Sequence, residues 1–141
     1  MKRSYVPEAL RDPAGDPPYS LACIPDIPGQ CIPLAGVIVP VKKGDLGVEI
    51  EAVMAEVFRR VDACGLTPDD ITHMCVIVGP DVDLNDAKTA ATLNGAYVRA
   101  FLRAISPTIA GSVFPVRAVF GSTTLFGFAK IEVVPTVFVE A

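Results

Sequence analysis

An arginine and a glutamate fifteen residues apart carry the most chemistry in this sequence: Arg117, in Phe114-Pro115-Val116-Arg117, and Glu132, in Ala129-Lys130-Ile131-Glu132-Val133-Val134. Both stand in strand-like apolar runs, where a charge without compensation is costly. The expectation is that they occupy neighbouring strands of one apolar sheet and serve either a ligand or each other. Taken with Pro18-Tyr19-Ser20 and Asn94-Gly95-Ala96-Tyr97, they suggest a small-molecule site; the structural alternative is a mutual salt bridge or an interface pair. Tyr19 reads equally as a strand-edge tyrosine with a wet hydroxyl, and Asn94 as a brace for its own helix. Gly36 reads equally as a bulge or a point of close strand packing.

Other residue types that could do chemistry fall out on spacing. Cys23, Cys31, Cys64 and Cys75 show no C-x-x-C pattern, and the single histidine, His73, has no zinc-site partner in sequence, so no metal is expected. Cys64 and Cys75 fit buried thiols packing as small hydrophobes. Cys23 and Cys31 flank a turn close enough for a hairpin disulfide, although reduced thiols are the expectation. The acidic loop Asp81, Asp83, Asp86 lacks calcium-loop spacing and reads as a solvated lead into a helix. Glu49, Glu51 and Glu56 read as a wet helix face.

These residues are expected to be positioned by one domain, because 141 residues is the length of one ordinary domain and enough to bury a sizeable core. The sequence is 51% apolar, without tryptophan, so the core is aliphatic with a few phenylalanines and the surplus is expected at a subunit interface. A net charge of −4, with no basic run beyond Lys42-Lys43, speaks against a nucleic-acid partner. No apolar run is long enough to span a bilayer, so neither a membrane partner nor a location outside the cytoplasm is expected.

Residues 1–16, rich in proline, read as an irregular arm and 17–141 as the domain. Short strands are expected at 19–23 and 31–40, joined by a Pro-Asp-Ile-Pro-Gly-Gln turn. Ile50, Val53, Met54, Val57, Val61 and Cys64 recur at helical spacing over 48–64, with Gly65 closing the helix. Thr67-Pro68 opens a turn. A central strand over 72–78, a helix over 87–104 and strands over 117–124 and 129–139 complete a β-β-α-β-α-β-β order. The fold class is α+β, a sandwich with two helices on one face of a mixed sheet.

This order and the residues at its joints resemble the Rid (YjgF-type) family of reactive imine and enamine deaminases. The resemblance is carried by Pro17-Pro18-Tyr19-Ser20, by Leu34-Ala35-Gly36, and by Ala63-Cys64-Gly65-Leu66 at the end of the first helix. It continues in Leu93-Asn94-Gly95-Ala96-Tyr97-Val98-Arg99-Ala100-Phe101, in Pro115-Val116-Arg117 and in Ile131-Glu132. It implies a chorismate-mutase-like fold and a homotrimer whose sheets form a central barrel, with three clefts at the subunit interfaces. The implied activity is hydrolysis of 2-imino acids such as 2-iminopropanoate and 2-iminobutanoate to 2-keto acids and ammonia. Related possibilities are a pathway-specific deaminase of an aminomuconate-like compound and a non-catalytic, ligand-binding or chaperone-like trimer.

In that frame Arg117 is expected to hold the substrate carboxylate through its guanidinium fork, and Glu132 to orient the attacking water and carry its proton. Tyr19 is expected to donate a hydrogen bond or close the pocket, Gly36 to let backbone approach the ligand, and Asn94 to brace the wall. No cofactor is implied, because an imine already reacts with water. The sequence departs from the family pattern at Ala118-Val119, where Ser-Cys is usual, at Leu125-Phe126, where Leu-Pro is usual, and at Ala35, where serine is usual. Phe120, Phe126 and Phe128 are placed to reshape the pocket for a bulkier or more apolar substrate.

Overall fold

The computed structural model describes residues 2–5, 22–25, 27–41, 45–104 and 115–141. The two long helices form where the apolar periodicity puts them, α1 over Leu46–Ala63 and α2 over Ala87–Ala104. Asp45 caps α1 by accepting a hydrogen bond from the Val48 amide at 2.9 Å, satisfying one of the amides a helix start leaves open. Asp86 does the same for α2, accepting from both the amide and the hydroxyl of Thr89. These bonds hold the Asp86 carboxyl below its ordinary range, so the cap is charged and suited to the helix dipole. The expected turn at Thr67-Pro68 is a short 3-10 helix over Pro68–Asp70, closed by a reciprocal bond between Thr67 and Asp70.

Six strands are present among the described residues: β1 Lys2–Tyr5, β2 Ala22–Pro25, β3 Gly29–Pro33, β4 Ile71–Val78, β5 Val116–Gly121 and β6 Ile131–Glu140. β1 and β2 pair antiparallel as a separate two-stranded sheet. The other four form a mixed sheet in the order β3-β6-β4-β5, with β4 and β5 parallel across the α2 crossover and the remaining pairs antiparallel. The expected sandwich of two helices on a mixed sheet is the observed architecture.

Strand alternation decides which side chains enter the core. On β6, Ile131, Val133, Pro135 and Val137 are buried while Glu132, Val134 and Thr136 are half-buried on the other face. Met74, Val76 and Val78 of β4 share the buried face. They meet Val53, Met54, Val57 and Val61 of α1 and Leu93, Ala96, Tyr97 and Phe101 of α2. Phe58 and Phe101 lock the helices edge to face, with ring centroids 5.5 Å apart.

Four expectations need correction. Arg117 and Glu132 are not on neighbouring strands: β4 lies between β5 and β6, a pairing between distant segments that no local pattern encodes. The arm expected to be irregular contains β1, which pairs with β2, a partner about twenty residues away in sequence. The strand expected over 31–40 ends at Pro33 and touches β6 again at Val37. Pro33 pairs with Thr136 and Val37 with Val133, so four steps on one chain oppose three on the other, and the extra residue makes a bulge over 34–36. Glu49 is not wet but 1% exposed. Its two carboxylate oxygens accept hydrogen bonds from the Val41 amide at 3.1 Å and the Lys130 amide at 2.6 Å, which makes burial of the charge tolerable.

Candidate functional site

Arg117 and Glu132 project from opposite faces of the sheet. Arg117 sits beside Met74 in the parallel register and therefore points to the helix-covered face, whereas Glu132 sits beside Ile77, and Ile77 beside Phe120, on the open face. Each has gathered its own surroundings.

Around Arg117 the surroundings come from α2. Its Nη2 donates to Asn94 Oδ1 at 2.8 Å, and its Cζ stands 4.9 Å from the centre of the Tyr97 ring. Asn94 and Tyr97 are three residues apart, so one helix face presents both. Tyr97 is itself held flat by Phe101, whose ring lies 6.1 Å away and 28° from parallel. A half-buried guanidinium thus lies over an aromatic face with one edge bonded to an amide oxygen, and its plane is fixed. A guanidinium so oriented is suited to a planar anion, a use that a flexible ammonium would serve less well. Asn94 does more than brace its own helix, since it fixes the arginine. Tyr97 was legible only as a core residue of α2.

Glu132 lies under the bulge. A Cβ added at Gly36 would meet the end of the Glu132 side chain, so the glycine lets the carboxylate lie directly against the backbone there. Beside it opens a cleft of about 620 Å³ lined by Ile77, Phe120, Leu125, Phe126, Phe128 and Glu132, with Gly121, Ser122, Thr124 and Gly127 completing the wall. Ser122 and Thr124 satisfy each other locally, the Ser122 hydroxyl donating to the Thr124 carbonyl at 2.7 Å. Cys75 shares this face; burial, and then the negative charge of Glu132, push its thiol above the ordinary range.

The structure therefore brings Arg117 together with Asn94, and Glu132 together with Gly36, as two groups on two faces. Tyr19 lies outside the described residues. Among those residues no group of three or more histidine, cysteine or acidic side chains is placed to hold a metal, and no helix is long and apolar enough to cross a membrane. Cys31, Cys64 and Cys75 carry free thiols; Cys64, expected to be buried, is exposed, because α1 ends at Ala63 and leaves it at the helix end.

No family model matches the sequence, and comparison with curated proteins finds no match. Solved structures do match. A protein of the conserved Rid family from Yersinia pestis, YyfB, is 18% identical and superposes with a TM-score of 0.75 over 98% of each chain. The YjgF gene product of E. coli is 25% identical, with a TM-score of 0.60 over 80% of this chain and 87% of that one. E. coli TdcF, solved with bound serine, is 22% identical, with a TM-score of 0.62 over 82% of this chain and 89% of that one. The fold is that of the Rid/YjgF proteins, the family the sequence resembles.

Proposed function

We propose that this protein hydrolyses reactive 2-imino or enamine acids to 2-keto acids and ammonia, at a site that two copies of the chain complete. The observation that carries the reading is the guanidinium of Arg117, half-buried and held in one plane by Asn94 and Tyr97. A charge kept in that state gains most from a planar carboxylate that can take two parallel hydrogen bonds. TdcF, a structural neighbour, was solved with serine, a small amino acid that also carries a carboxylate.

With the carboxylate anchored, the imine carbon is presented to water. Glu132 accepts a proton as that water adds to the C=N carbon, giving a tetrahedral carbinolamine, and returns it to nitrogen. Glu132, now deprotonated again, takes the carbinolamine hydroxyl proton as the C–N bond breaks, so ammonia leaves and the carbonyl forms. No electrons are transferred, and one water is consumed for each ammonia released.

Because the sheet separates Arg117 from Glu132 within one chain, a ligand that meets both takes Arg117 from one copy and Glu132 from the next. This suits the homotrimer with interfacial clefts that the resemblance implies. Tyr19, within the first motif of the resemblance, is given the role the resemblance implies, donating a hydrogen bond to the ligand or closing the pocket.

Ammonia release from imines generated in place by an amino-acid oxidase tests the reading. Wild type accelerates release, and Arg117→Ala lowers kcat/KM by at least about a hundredfold, the order expected for losing two charge-assisted hydrogen bonds, while its circular dichroism stays native. Keto-acid binding without any acceleration would contradict the deaminase and favour a ligand-binding trimer.

A further inference from the structure

The cleft beside Glu132 is larger and more apolar than water addition to a small imine requires. At about 620 Å³ it falls in the size range of sites for sizeable organic ligands, and the smallest imino acids would leave most of it wet. Phe126 is 87% exposed on its rim, Phe128 is fully exposed, and Phe120 is half-exposed. Contiguous aromatic surface left open in this way gains free energy from whatever covers it.

The backbone supports a purpose for that rim. Gly127 and Phe128 take consecutive positive φ values of 62° and 57°. The left-handed region suits glycine but strains a phenylalanine, and strain of this kind persists where surrounding structure enforces it, often at ligand sites. Here it turns two phenylalanine rings outward in three residues.

Charge decides which end of a ligand enters. Among the described residues lining the cleft, Glu132 is the one ionisable group. A second carboxylate brought into this apolar recess would be repelled, so the carboxylate end must stay outside and the uncharged end go in. We propose that this cleft receives the side chain of the imino acid, and that it selects a large apolar one, of benzyl size. The Phe126-Gly127-Phe128 turn and Phe120 are its specificity determinants. This rests on the deaminase reading for the identity of the acid, and not for the apolar selectivity itself.

Two measurements test it. The imines of phenylalanine and alanine are generated in place, and ammonia release is compared for wild type and for the double variant Phe126→Ser/Phe128→Ser. Wild type favours the phenyl-bearing imine by about tenfold or more in kcat/KM, the order that burial of a ring confers, and the double variant cuts that ratio by at least about fivefold. Calorimetric binding of phenylpyruvate and pyruvate reads the cleft without turnover. Phenylpyruvate binds more tightly to wild type, and the difference shrinks in the variant. Selective binding of phenylpyruvate with no imine turned over would remove the deaminase reading and keep the cleft assignment. Equal binding of the two keto acids by wild type, or an unchanged ratio in a variant whose sedimentation is altered, would overturn the proposal. In the latter case the rings meet a second copy of the chain instead. Should the double variant fail to fold, Phe120→Ala gives the same comparison from a sheet position.

Discussion

Contacts and surroundings of different physical origin give Arg117 its properties. A hydrogen bond to Asn94 fixes one edge, the Tyr97 ring fixes the plane, and the apolar sheet lowers the local dielectric. The sequence singled out Asn94 and Arg117 separately, each through its own motif, but not the bond between them. The Tyr97 contact was not legible, because a tyrosine in an apolar helical stripe looks the same whether it faces another core residue or a guanidinium. Cys75 offers a test at this scale. Its raised pKa keeps the thiol protonated, first through burial and then through Glu132, and the thiolate is the reactive form. Iodoacetamide at pH 8 should modify exposed Cys31 and Cys64 well before Cys75. Removing the neighbouring negative charge lowers the thiol pKa, so Glu132→Gln should speed modification of Cys75 at fixed pH, as peptide mass mapping would show. Equal rates at Cys75 in the two proteins would separate the thiol from Glu132.

Among the elements, the helices were read almost to the residue. Their 3.6-residue periodicity and capping aspartates are local signals, and no distant segment needs to be known to find them. Of the six strands, the five from β2 onward were expected and β1 was not, and their order in the sheet was not legible. Whether β4 or β6 lies next to β5 depends on pairings between segments tens of residues apart, so Arg117 and Glu132 were expected on adjacent strands and stand two strands apart; the register, pairing Arg117 with Met74 and Glu132 with Ile77, puts them on opposite faces. Glu49 was misread for a related reason. A glutamate in the first turn of a helix is usually solvated, and nothing near it in sequence announces that the amide of Lys130, 81 residues away, will be its partner. Its carboxylate ties the segment ahead of α1 to the start of β6, two residues before Glu132. Glu49→Ala leaves two amides without their acceptor, and the expected loss is roughly 2–4 kcal/mol of unfolding free energy. Chemical denaturation measures this, with faster hydrogen exchange at the Val41 and Lys130 amides. Glu49→Gln, which keeps one good acceptor, should lose about half as much. Full stability in the alanine variant would mean that water replaces the carboxylate.

At the scale of the whole molecule, a single copy carries two half-sites facing away from each other. The central claim is that function needs both, from different copies. Arg117→Ala and Glu132→Gln are each expected to be inactive alone. Denatured together in equal amounts and refolded, they can assemble interfaces that join an intact Arg117 from one variant to an intact Glu132 from the other. Random mixing makes such interfaces roughly a quarter of the total. The most direct measurement is therefore ammonia release by the co-refolded mixture. The account predicts recovery toward about a quarter of wild-type activity, since only those interfaces are complete. A mixture that forms hetero-assemblies and stays as inactive as either variant alone would contradict it, because the two residues would then serve within one chain or not at all.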